Sequence, residues 1–200
     1  MEKKQLANHW NYFLLLEKDF INLKNYIEVS ERNFETYSFE LSKILQLACS
    51  EIDSVCRLLC KTIDSTSDYF DETVFSGNIS QYKDIILSKY PKLTQSEVII
   101  LDLDIDIKPW EEWDVKDSPN WWKSYNLVKH YRHSNFEKAN LENIIYALSA
   151  LMILNLYLNR VSGSDKSSLQ DLQPKYFESK YFSLYIVTDP RNELPDFEEN

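Results

Sequence analysis

The apolar positions of this chain repeat with two different periods, and the change of period marks its architecture. Helical spacing comes first. From about Leu6 to about Tyr26, residues Phe13, Leu16, Phe20, Leu23 and Ile27 recur at i, i+3, i+7, i+10 and i+14. That narrow stripe predicts an amphipathic helix. It packs into the chain's own core, the favoured reading in a compact domain, or against a partner helix. A turn or short extended piece, YIEVSERNFETYS, follows. A second helix is predicted from Ser38, its N-cap, to about Ile63, with Leu41, Ile44, Leu45, Ala48, Ile52, Val55, Cys56, Leu59 and Ile63 on one face. The polar residues 65–78 read as a loop, and Ile79 to Lys89 as a short helix that stops before Pro91.

The period then becomes two. Between Ser96 and Lys108, Ile99, Leu101, Leu103, Ile105 and Ile107 alternate with Asp102, Asp104 and Asp106, the pattern of a half-buried strand. Lys180 to Thr188, KYFSLYIVT, is a second candidate strand that would pair with Val98 to Ile107. The segment in between carries Trp110, Trp113, Trp121 and Trp122, and Asp117-Ser118-Pro119 reads as a helix start with Ser118 as cap. Trp121 to Arg160 then reads as a polar, basic helix, a short turn and the most apolar helix of the chain. Leu141 to Leu158 is interrupted by Glu142, Asn143, Ser149 and Asn155, which favours a core helix over a membrane span. VSGSDKSS is a linker by composition, and the last residues form an acidic tail. The expected fold is mainly α, a bundle of four to five helices with a small β element. Residues 1–160 form a helical domain that includes a strand near 97–107, and residues 161–200 supply linker, candidate strand and tail.

Composition narrows the function classes. Hydrophobic residues make up 44 % of the 200, enough for a sizeable core, and the formal net charge is −10. An acidic protein is not a general nucleic-acid binder, so any RNA site has to be a local basic island. The first twenty residues are too charged for a signal peptide, and a cytoplasmic protein without membrane attachment is expected. Cys49, Cys56 and Cys60 fall in one helix and read as core thiols rather than a disulfide framework or half a metal site. Gly77 and Gly163 are the only glycines, which excludes Gly-rich phosphate loops, the Rossmann fingerprint and the serine-hydrolase elbow. No cofactor is expected. The three alternating aspartates tempt a metal reading. Alternate strand residues stand about 6.6 Å apart, whereas oxygen ligands of one Ca²⁺ lie within about 2.6 Å of the ion. A solvated strand face that discourages edge pairing is the better account, and no metal is expected.

Two features carry both a structural and a functional reading. Glu51 and Asp53 sit on opposite shoulders of the second helix, and Asp53 is placed to pair with Arg57 at i+4. They solvate the helix, or one of them leans toward a site on the histidine helix. The tryptophans cement strand to helices, or they offer a stacking platform for bases.

Lys116 to Lys138 is the basic island: five Lys or Arg and two histidines against two acids. On a regular helix Trp122, Asn126, Lys129 and His133 share a stripe, with His130 at its edge and Arg132 on another side, nearer Tyr125 and Val128. Fixed cations disfavour protonation of a neighbouring imidazole. A neutral imidazole beside cations is the minimum kit for metal-independent RNA cleavage: the imidazole moves the 2′-hydroxyl proton and the cations stabilise the phosphate. The candidate catalytic residues are His130, Asn126 and Arg132, and the candidate RNA-binding residues are Lys129, His133, Trp122 and Lys123.

YNLVKHYR leading into FEKANLENIIYALSALMILNLYL resembles the HEPN superfamily of prokaryotic helical domains, as does the earlier LSKILQLACSEIDSVCRLLCKTID. The resemblance covers roughly residues 10–160. It extends to a group of bacterial proteins with EID in the early helix and, before the last helix, the residues found here as Ser118-Pro119-Asn120-Trp121-Trp122, Tyr125-Asn126 and His130. It implies a helical bundle, a homodimer with the motif helices facing each other, and RNA cleavage or RNA binding in bacterial defence or stress response. HEPN ribonucleases carry R-x4-6-H, often as R-N-x3-H. Asn126 and His130 match, Tyr125 stands where the arginine would be, and Arg132 or Lys129 would have to supply the charge. The resemblance equally allows a non-catalytic protein–protein interaction module that keeps the bundle.

Overall fold

The computed structural model describes residues 3–66, 77–103, 105–162, 173–179 and 194–197. These residues form a mainly helical fold with a small antiparallel sheet. Its elements are α1 (Lys3–Leu23), α2 (Phe39–Ile63), α3 (Ile79–Lys89), β1 (Val98–Ile100), β2 (Ile105–Ile107), α4 (Asn120–Asn135), α5 (Leu141–Val161) and β3 (Phe177–Glu178).

The core is built around α5. Every residue from Ala147 to Asn159 is buried, so this helix has no polar face to turn outward and has to be wrapped on all sides. Among the described residues it is the one helix long and apolar enough to cross a membrane, and 83 % of its most apolar window is buried inside the fold. α2 lies along it, and α1 and α4 pack beside it. The predicted apolar face of α2 is buried from Leu41 to Cys60, and Ser38 caps the helix by accepting from the Leu41 N–H at 3.1 Å. The stripe of α1 faces this same core, with Trp10, Phe13, Leu16 and Phe20 almost fully buried. The three cysteines lie inside it as free thiols, and burial pushes all of them upward, Cys60 to about 12.

The alternating stretch folds as a hairpin rather than one strand near 97–107. Val98 pairs with Ile107 and Ile100 with Ile105, and residues 101–103 make the turn. An isolated strand leaves both rows of backbone groups unpaired, whereas a hairpin pairs one row with itself. The aspartates therefore part company. Asp102 lies in the turn and pairs with Lys24 at 2.6 Å, Asp106 is exposed on β2, and Asp104 lies outside the described residues. β3 takes the other edge of β1, pairing Phe177 with Ile100. The candidate strand 180–188 lies outside the described residues.

The chain after Arg160 joins the helical core where it is described. The Glu17 carboxylate, 3 % exposed on α1, accepts the backbone N–H groups of Lys175, Tyr176 and Phe177 at 2.8, 2.8 and 3.2 Å. Tyr176 and Phe177 bury their rings against Phe20. Leu194 to Phe197 do not form a loose tail either. Leu194 is buried, Asp196 accepts from Tyr157 Oη and from the Lys92 N–H, both at 2.9 Å, and Phe197 packs against Tyr90 and Tyr157. The pull of these aromatic contacts outweighs the acidic composition.

Glu17→Ala leaves three N–H donors without their acceptor and should cost about 2–5 kcal/mol in a denaturant titration. Burial raises the Glu17 pKa, against the opposing pull of those N–H groups. A raised carboxyl pKa gives a contribution that is full below the unfolded value and is lost as pH rises through the folded one. Glu17→Gln keeps an acceptor and cannot ionise. Its stability relative to wild type should therefore rise with pH across that window and then level off.

Candidate functional site

α4 is the basic helix, and the tryptophans decide how it sits. Trp110 and Trp113 are fully buried, with ring centroids 4.1 Å apart. Trp110 also meets Trp121 at 5.1 Å, Trp121 meets Trp122 at 5.9 Å, and Trp122 meets Tyr125 at 5.1 Å. Indole N–H groups lock the row in place: Trp110 donates to the Ala150 carbonyl at 3.2 Å and Trp121 to the Pro109 carbonyl at 2.9 Å. The row cements the segment that follows β2 to α4 and α5. Trp122, 7 % exposed, therefore presents no open face to a base, against the expectation that it contacts RNA.

The start of α4 differs from its sequence signature. Pro119 holds the N-cap position in extended conformation, and Ser118 makes no capping bond. The Glu112 carboxylate takes over, accepting the Asn120 N–H at 2.5 Å while it also pairs with Lys116. A full carboxylate suits the positive end of a helix better than a neutral hydroxyl.

Trp121, Tyr125 and Val128 form the buried side of α4, while Lys123, Leu127 and His130, at i, i+4 and i+7, lie exposed on its outer side. Lys129 is exposed at the flank with its ammonium 5.5 Å from the Tyr125 ring centroid, and Asn126 is half-buried. The expected stripe from Trp122 to His133 does not run through, because the helix breaks at Tyr131, whose φ of −136° and ψ of 39° are not helical. The Ser134 hydroxyl and the Asn135 amide cap the break by donating to the Tyr131 carbonyl at 3.3 and 3.0 Å. Arg132 and His133 lie beyond it and are both exposed. Arg132 is thus not on the side of Tyr125 and Val128, which is buried. Lys123, Lys129, His130, Arg132 and His133 form no ion pair with a carboxylate among the described residues.

The helix shoulder separates the two acids of α2. Glu51 meets α1, its Oε1 2.5 Å from His9 Nδ1, with both side chains largely buried. Asp53 faces α3 and α4. It accepts from Arg57 Nε at 2.9 Å and from Tyr82 Oη at 3.0 Å, and its charge reaches the Tyr125 hydroxyl. Burial raises the pKa of both tyrosines, so both phenols stay protonated. Asp53 therefore leans toward the α4 helix, where its charge reaches Tyr125 rather than a histidine. The His9–Glu51 pair was not foreseen: its partners lie 42 residues apart, and no local spacing links them.

A cavity of about 190 Å³ opens on the other flank of the α4 start, lined among others by Lys108, Glu112, Trp121, Glu142 and Tyr146. Burial and then Glu142, Glu111 and Glu112 raise the Tyr146 pKa. With Glu111, Glu112 and Glu142 against Lys108, this recess is acidic and disfavours phosphate. Among the described residues, no group of three His, Cys, Asp or Glu side chains is arranged to hold a metal ion.

The Asp53–Tyr82 bond also explains one glycine. A Cβ on Gly77 would lie 2.5 Å from Tyr82 Oη and 2.6 Å from its Cε1, and that ring is buried and tied to Asp53. Gly77→Ala should cost about 1–3 kcal/mol of stability in thermal or chemical unfolding, as overpacking does. No family model, curated protein or solved structure matches this chain.

Proposed function

We propose that this chain is a HEPN-like RNA-binding protein of bacterial defence or stress response that acts as a homodimer and meets RNA with the exposed side of α4. One observation carries the reading. In a protein of net charge −10, α4 holds Lys123, Lys129, Arg132, His130 and His133 exposed, contains no acidic residue, and is left without carboxylate partners among the described residues. Cations kept from neutralising acids are what phosphate contacts require, because binding is driven by release of the counterions they displace.

Binding is better supported than cleavage. A general base needs a partner that fixes its ring. No hydrogen bond orients His130 among the described residues, and Tyr125, in the place of the motif arginine, is buried. Tyr125 also favours a second reading, a non-catalytic interaction module. A buried aromatic at that position serves the bundle and not a phosphate.

Purified protein should bind labelled RNA with an affinity that falls steeply with salt. Lys123→Ala, Lys129→Ala and Arg132→Ala should each reduce the slope of log K against log salt by about 0.7–0.9. In EDTA the RNA should stay intact. Cleavage lost in His130→Ala, with the fold unchanged, would instead make the protein a metal-independent ribonuclease. Absence of binding at low salt would move the reading to the interaction module.

A further inference from the structure

Where α4 ends, the surface changes from cationic to aromatic. Phe136 stands one turn beyond Arg132, and its ring meets Phe39 at 4.9 Å and Tyr37 at 5.3 Å. These rings are not core. Phe39 is 75 % exposed and Tyr37 49 % exposed, and Phe136 is half-buried between them. Phe39 opens α2 directly after the Ser38 cap, so its backbone is fixed while its ring faces water. The strand-like segment before it is fixed as well. The Leu141 and Glu142 N–H groups donate to the Thr36 and Phe34 carbonyls at 2.9 and 3.2 Å, and Tyr37 forms an isolated bridge with Asn140. The cluster is thus a rigid aromatic shelf assembled from two distant segments, and the core does not need its outer faces.

Exposed aromatic surface beside unneutralised cations fits unpaired nucleotides: bases stack on the rings while phosphates meet Lys and Arg. A duplex keeps its bases stacked on one another and offers only its backbone. Of the acids around the shelf, Glu40 is paired with Lys43, while Glu35, which accepts from Asn140, its neighbour Glu142 and the exposed Glu137 stand against Arg132 and Lys138. Resting on the reading of α4 as an RNA-binding helix, we infer that Phe39, Phe136 and Tyr37 form a base-stacking shelf that makes the ligand single-stranded RNA.

The test compares a labelled oligoadenylate with a blunt RNA duplex in fluorescence anisotropy, using wild type, Phe39→Ala and Arg132→Ala. Phe39 is exposed, so its removal spares the core, and circular dichroism checks the fold. Wild type should prefer the single strand. Phe39→Ala should weaken single-strand binding about 5- to 150-fold, the worth of one stacked base, with the salt slope unchanged. Arg132→Ala should lower the salt slope for both ligands. Equal affinity for strand and duplex, or a Phe39→Ala variant that binds the strand like wild type, would overturn the shelf and leave the α4 reading standing. Binding of neither RNA by wild type would overturn both. Loss of a homodimer in Phe39→Ala, seen by sedimentation with RNA affinity unaltered, would assign the rings to an interface between copies and overturn the shelf.

Discussion

The structure depends on a helix that cannot face water. α5 is buried from Ala147 to Asn159 over every side, so the other elements are arranged to cover it. Each large aliphatic side chain removed from water contributes about 1.5–3 kcal/mol, and no single neighbour can cover a helix all round. Hence α2 lies along one side, α1 and α4 take others, and segments 173–179 and 194–197 are drawn in through Tyr176, Phe177 and Leu194. The polar residues of α5 are met only in part, Ser149 Oγ and Asn155 Oδ1 being buried without a partner among the described residues. Asn155 and Asn159 donate to the Leu151 and Asn155 carbonyls one turn back, at 3.0 and 2.8 Å, satisfying their amide N–H groups within the helix itself.

Covering α5 also determines what is left outside. The tryptophan row pins α4 by its inner side, with Trp121 tied to Pro109 and Trp110 tied to α5. Once Trp121, Tyr125 and Val128 face inward, helical geometry puts Lys123 and His130 outward. The cationic surface is therefore a consequence of packing on the opposite side as far as His130, and Arg132 and His133 continue it beyond the break. At Tyr131 the backbone leaves helical geometry, and the chain turns toward Phe136 and the start of α2.

Features that depend on local pattern were legible in the sequence. The apolar face of α2, the Ser38 cap and the Asp53–Arg57 pair follow from periodicity and i, i+4 spacing, the core placement of α5 from its apolar composition, and each is present. What failed was set by tertiary context. A run of alternating residues specifies extended backbone but not where it folds back, so the turn at 101–103 was invisible. The stripe through His133 assumed a regular helix, and nothing in WWKSYNLVKHYRHSN announces the break at Tyr131. Ser118-Pro119 satisfied the capping rule, yet Glu112, eight residues before Asn120, supplied a stronger acceptor. Glu17, His9 and the Phe39–Phe136 contact join positions far apart in the chain, and a single sequence carries no signal for them.

Overall negative charge is compatible with the RNA-binding surface proposed for α4, and together they would constrain the ligand. At physiological ionic strength fields are screened over about 8 Å, so the excess of acids acts weakly on a phosphate already seated on α4. At longer range, and at low salt, the same excess opposes approach of any polyanion. Three lysines and arginines on one helix then give too few phosphate contacts to hold an extended duplex against that repulsion. A short unpaired segment meets the same cations with less charge outside the patch, and its bases add contacts that salt does not screen. On the proposed reading, the electrostatics of the whole chain and the rings at the end of α4 would therefore select in the same direction.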